Sequence, residues 1–234
     1  MFAVDHAATA LLVKRRYPSV PIAPILISVQ AMELAWVGLN YLGIERTTTA
    51  TTVRSVADIQ LAYMPYSHSV GTAVGAALLA WLIIEKGFGR PFLGRAVGLG
   101  IVSHLILDLA THGHDIVLWP GVATPKLGLG LYAAAPMVAF FVELIYGTFC
   151  WYVYRGGPGL LAFITIGNLA NLSILSPDIA GPEQYLAGRP LLLVTFIFVQ
   201  IVVSLVLVGV LARRHHEAST ERWPGDHRLA AQHR

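Results

Sequence analysis

FLGRAVGLGIVSHLILDLATHGHD, residues 92–115, decides how the chain is read. Residues 92–111 are apolar apart from a few polar groups, and as a helix they cover about 30 Å, the thickness of a bilayer hydrocarbon core. That makes the stretch a membrane span. Yet it carries His104, Asp108 and His112 at spacings i, i+4 and i+8. At about 100° per residue each lies only about 40° round from the last, so the three form one polar stripe on a Leu/Ile/Val helix. Ionisable groups inside a span are costly and turn toward a bundle interior or a wet cavity, which makes each a candidate for function.

The rest of the chain agrees with that setting. Of 234 residues 56% are hydrophobic and only 12% charged, with a mean hydropathy of +0.64, beyond what a soluble domain carries. Six stretches are long and apolar enough to cross: 21–43, 69–85, 92–111, 130–154, 158–175 and 190–212. The opening FAVDHAATALLV is shorter and is expected to form a half-membrane or interfacial helix. The expected fold is therefore all-α, a polytopic membrane bundle of about six transmembrane helices plus this half-helix. Residues 1–212 make one transmembrane domain, and 213–234 form a polar, basic, disordered tail.

Lysine and arginine placement orients the bundle, because cytoplasmic loops carry the excess. With the N-terminus inside, Lys14, Arg15, Arg16, Lys86, Arg90, Arg95, Arg155, Arg213, Arg214, Arg222, Arg228 and Arg234 fall on the cytoplasmic side. Arg46, Arg54, Lys126 and Arg189 fall outside. Both termini are then cytoplasmic, in a multi-pass protein of a cytoplasmic (inner) membrane whose first partner is the lipid bilayer. The basic residues cap apolar runs instead of gathering with aromatics, so the pI near 9.1 does not indicate nucleic acid. The one cysteine, Cys150, lies in an apolar run and permits neither an intramolecular disulfide nor a CxxC site. Nothing in the sequence sets an oligomeric state.

Further ionisable groups fall within or beside the spans. Glu33 and Glu143 lie inside the first and fourth, and His68 stands at the outer entrance of the second. A half-helix starting near mid-membrane brings His6 to the same depth. His6, Glu33, His68, His104 and Asp108 can then meet in the outer half of the membrane. Imidazole and carboxylate together suit a divalent metal, zinc first, manganese or iron next. The bland alternative for each is an interhelical hydrogen bond. That reading is preferred for His114, and Asp5 is read as a helix-start residue. Asn168 and Asn171 are read as contacts between helices. Glu143 is a partner behind the site, an ion pair with Lys126 or Arg155, or a proton relay. Ser69 offers a hydroxyl without any GxSxG motif. Trp119 and Tyr132 suit the interface, and residues 112–130 suit an outer lid.

The blocks FAVDHAATALLVKR, VQAMELAW, GIE (43–45), PYSHS (65–69), SHLILDLATHGHDIVLWPG and KLGLGLY, in this order, resemble the bacterial membrane-bound metal-dependent hydrolases, the YdjM-like integral membrane proteins. The resemblance covers roughly residues 1–155. It implies a metal held by His6, Glu33, His68, His104 and Asp108, with Glu33 standing where the pattern more often has Asp. It also implies a hydrolase of a lipid or lipid-linked ester or phosphoester. In that chemistry Glu45 or His112 would be the catalytic proton carrier, although Glu45 also reads as a plain loop carboxylate near Arg46 and Arg54. The alternative from another class is a non-enzymatic membrane protein that moves protons or metal ions, or a purely structural bundle.

Overall fold

The computed structural model describes residues 1–121, 125–176 and 178–221, with residues 214–221 described by backbone alone. Helices dominate it: α1 (Ala3–Arg16), α2 (Ile22–Val29), α3 (Ala31–Tyr41), α4 (Val70–Leu82), α5 (Pro91–Thr111), α6 (Leu131–Ala134), α7 (Pro136–Tyr154), α8 (Pro158–Leu169), α9 (Leu172–Leu175) and α10 (Pro190–Glu221). Among the described residues, four stretches are long and apolar enough to cross a membrane: Val70–Gly87, Pro91–Thr111, Pro136–Tyr154 and Pro190–Arg213. Their amphipathy is inside out. On α7 the exposed residues are Met137, Val138, Phe141, Val142, Ile145, Phe149 and Tyr152, whereas its one acid, Glu143, is fully buried, and Ala139, Gly147 and Cys150 are buried too. Such a helix is at ease only where the solvent is lipid.

The expected first span, 21–43, is not one helix. α2 and α3 meet at 54° across Gln30, with no glycine or proline at the joint. Tertiary bonds hold the bend instead: the buried Gln30 amide donates to the Ala3 carbonyl at 2.7 Å. Counted as one broken crossing, the pair brings the spans to five. The expected fifth span, 158–175, is also divided, into the twelve-residue α8 and the short α9. Tyr154 at the end of α7 donates to the Ala212 carbonyl, and the Gly188 amide donates to Thr49 at the other end of the bundle. The segment from α8 to the start of α10 therefore joins the two ends.

The opening half-helix is neither interfacial nor peripheral. α1 is the axis of the bundle, packed against α2, α5, α7, α8 and α10, with Ala7, Ala8, Ala10 and Leu11 fully buried. Its alanines keep the axis thin, so neighbouring helices approach closely. Gly147 on α7 faces Asp5 and Ile164 so tightly that a methyl group there would overlap both.

Two features break the all-helical pattern at the end where α3 stops and α4 starts. The Thr-rich segment forms β1 (Arg46–Thr49), paired antiparallel with β2 (Ile59–Tyr63). The segment after α5 is strapped down: Val70 and Gly71 amides donate to the Val117 and Leu118 carbonyls, and Gly130 donates to His112. Gly128, at φ +133°, lies directly on the Gly113 carbonyl, where no side chain fits. Trp119, expected at the interface, lays its ring over Gly71. At the far end α10 runs past the expected boundary at 212 to Glu221; the rest of the expected tail, 222–234, lies outside the described residues.

Candidate metal centre

The centre is built on α5. His104 and Asp108 are one turn apart on its buried face, and His112 caps its C-terminal end. α3 supplies Glu33 from its first turn, immediately after the bend. The loop leading into α4 supplies His68. Ligand atoms of Glu33, His68, His104 and Asp108 all lie within 4.8 Å of one another. His104 Nε2 is 3.0 Å from Asp108 Oδ2 and 3.6 Å from Glu33 Oε2. His68 Nε2 is 3.2 Å from Glu33 Oε2 and 3.6 Å from Asp108 Oδ2.

What stands behind each ring fixes which nitrogen faces the cluster. His104 Nδ1 lies 2.9 Å from the Val29 carbonyl. A carbonyl only accepts, so Nδ1 carries the proton and Nε2 presents its lone pair. Val29 ends α2, where a helix leaves carbonyls without internal partners. The bend thus serves the site. For His68 the chain is longer: Ser67 donates its hydroxyl proton to Glu45 Oε2 and so must accept from His68 Nδ1, 2.8 Å away. Glu45 Oε1 takes the Tyr66 and Ser67 amides. Glu45 does lie in the loop before β1, yet it is only 1% exposed, and its two oxygens are spent aiming His68. It stands outside the group of four ligand atoms.

His68 Nε2, His104 Nε2 and Asp108 Oδ2 are buried and have no hydrogen-bond partner among the described residues. Orphaned buried polar atoms are rare and costly; three of them facing one another, with Glu33 closing the set, fit the donor requirements of a divalent cation. The other expected ligand, His6, stands apart from this group. Its Nε2 lies 3.1 Å from the opposite oxygen, Asp108 Oδ1, and its ring stacks on His104 at 3.9 Å between centroids. The Met1 ammonium, 2.9 Å away, and His112 Nε2, 3.7 Å away, share that oxygen. Asp115 backs His112 at Nδ1, 3.4 Å away. His114 makes no ion pair among the described residues.

The remaining sequence candidates are structural. Glu143 pairs with neither Lys126 nor Arg155; it accepts from the Phe2 amide and the Tyr132 hydroxyl and so anchors the start of α1. Tyr132 therefore lines the cavity beside the site. Ser69 caps α4 by accepting from Thr72. Asn168 donates to Asp5 and Gln200 donates to Asn171, both between helices. The sequence offered no sign of Ser67 or the Val29 carbonyl, because their roles exist only once the chain has folded; Asp115 stood out with His112 and His114 but reads there as a solvated polar residue at the end of a span.

A cavity of about 380 Å³ opens onto the cluster. Met1, His6, Glu33, His68 and His112 line its polar end, while Trp36, Leu61, Leu193, Phe196 and Ile197 are among its apolar walls. Asn171, Ser173, Glu183 and Gln200 also line it, so it suits a largely apolar molecule with more than one polar group. No family model, curated protein or solved structure matches the chain.

Proposed function

We propose that the chain is a metal-dependent hydrolase of lipid or lipid-linked esters or phosphoesters, working within a bacterial cytoplasmic membrane. The observation that carries this reading is the set of three unpartnered buried atoms on His68, His104 and Asp108 that gather with the Glu33 carboxylate, with Glu33 and His68 also lining the adjoining cavity. The resemblance to the YdjM-like hydrolases points the same way. Glu33, His68, His104 and Asp108 would hold the ion, with zinc the first choice for two imidazoles and two carboxylates.

When bound, such a cation polarises the ester oxygen and eases ionisation of water at neutral pH. The chain's own residues do the rest. Trp36, Phe196 and their neighbours take the acyl or isoprenoid body and exclude bulk water. Glu33 uses Oε2 within the cluster and keeps part of its side chain, 19%, accessible. It accepts the proton of the attacking water as that oxygen bonds to phosphorus or to the acyl carbon. The proton then passes to the leaving oxygen as the ester bond breaks.

The test uses detergent-purified protein stripped with chelator, reloaded with zinc and assayed on long-chain nitrophenyl esters, phosphodiesters and phospholipid vesicles. Activity should return with zinc and fall by roughly 10²-fold or more in Glu33→Gln, the scale of a lost proton-transfer group. Asp108→Asn should fail to retain zinc while keeping its helical content. Metal content unchanged in Asp108→Asn, or equal hydrolysis by Glu33→Gln, overturns the reading.

A further inference from the structure

The imidazoles around Asp108 divide evenly between its two oxygens. His104 and His68 address Oδ2 at 3.0 and 3.6 Å; His6 and His112 address Oδ1 at 3.1 and 3.7 Å. All four approach through Nε2. From this arrangement we infer that Asp108 bridges two divalent cations: one in the group Glu33–His68–His104–Asp108, the other in a second subsite made by His6, His112 and Asp108 Oδ1. The inference rests on the metal-centre reading above and extends it to a dinuclear centre.

Three observations carry it. First, Oδ1 already attracts positive charge: the Met1 ammonium donates to it at 2.9 Å and to Thr111 Oγ1 at 2.8 Å, in the place that a second cation would take over. Among the described residues no lysine or arginine reaches Asp108, so this is the one full positive charge beside a carboxylate that is 1% exposed. Second, a carboxylate stands behind His112. Asp115 Oδ1 lies 3.4 Å from Nδ1 and has no hydrogen-bond partner among the described residues, so it is free to accept from Nδ1 and set the tautomer when Nε2 takes a cation. Third, His6 is held in place by stacking on His104, so the two subsites share a wall and cannot be far apart. A carboxylate holding one cation on each oxygen suits the separation of about 3.5–4 Å used by two-metal hydrolases.

His112 then becomes a ligand and leaves the proton-carrier role suggested by the sequence. It lines the cavity together with Glu33, so both cations would face the bound ester. A phosphoester, which presents two oxygens, fits such a pair better than a carboxylic ester.

The experiment titrates chelator-stripped, full-length protein in detergent with manganese chloride, followed by elemental analysis and electron paramagnetic resonance. Two equivalents per chain and an exchange-coupled spectrum are expected for the wild type. His112→Ala should bind one equivalent with an uncoupled spectrum. Asp115→Asn, the gentler variant, should weaken the second equivalent about 10–100-fold and leave the first unchanged. One uncoupled equivalent in the wild type overturns the second subsite and spares the first. Two coupled equivalents in His112→Ala also overturn it. No bound manganese in any variant overturns both this inference and the metal-centre reading.

Discussion

Ser67 is the smallest part on which the centre depends. Its hydroxyl has one proton to give, and Glu45 takes it, so the only bond left for His68 is one in which Nδ1 donates. Remove the hydroxyl and the ring loses its reason to turn Nε2 toward Glu33 and Asp108. Ser67→Ala leaves the Glu45 carboxylate bonded to the Tyr66 and Ser67 amides, so the loop should persist while its histidine loosens. The expected outcome is a 10–100-fold loss of zinc affinity, read by competition with a chromophoric chelator, at unchanged circular dichroism. None of this is legible in the sequence. Residues 45 and 67 are brought together by the β1–β2 hairpin, and the Thr-rich stretch that forms β1 has no alternation of apolar and polar residues to announce a strand.

At the scale of elements, the crossing of α2 and α5 sets the position of His104. Gly100 lies directly on the Ser28 side chain, and the next residue, Val29, carries the carbonyl that holds the His104 ring. A methyl group at 100 meets Ser28 Oγ well inside van der Waals contact, so α2 must move away and take the carbonyl with it. Gly100→Ala should cost about 1–3 kcal/mol, the range for overfilling a packed contact, seen as a lower unfolding temperature in detergent. It should also weaken zinc binding. Ser28→Ala in the same chain removes the nearest atom and should restore part of both. The histidine stripe on α5 was readable because a four-residue spacing keeps a helix face whatever surrounds it. Of the five residues expected to meet, Glu33, His68, His104 and Asp108 bring their ligand atoms within 4.8 Å of one another, and His6 is not in that group. The bend at Gln30 was not readable, since it has no local cause: its amide is bonded to Ala3 and its neighbour's carbonyl to His104. The same absence of local signal hides the division of the fifth apolar stretch into α8 and α9.

For the whole molecule, the balance lies between an apolar exterior and an interior that collects charge. Asp5, His6, Glu45, His68, His104, Asp108 and Glu143 are all buried, gathered around a thin alanine axis. A bilayer offers the outer faces of α4, α7 and α10 a solvent, but nothing in it offsets the desolvation of these groups. Most have partners within the chain. Among the described residues Asp5 Oδ2 and His6 Nδ1 lack one singly, whereas the unpartnered atoms of His68, His104 and Asp108 face one another between α3, α4 and α5. An ion bound there stabilises only the folded bundle, because the ligands come from separate elements that part on unfolding. The free energy gained is set by mass action, about 2.7 kcal/mol when free metal is a hundred times its Kd. Zinc added to stripped wild-type protein should therefore raise the unfolding temperature progressively with concentration, and chelator should reverse the rise. His104→Ala should unfold at a temperature that ignores zinc, because it has lost the ring that joins Glu33 to Asp108. A wild-type unfolding temperature that also ignores zinc would mean that these orphaned atoms meet some need other than a cation, and the bundle would then have to tolerate their cost unaided.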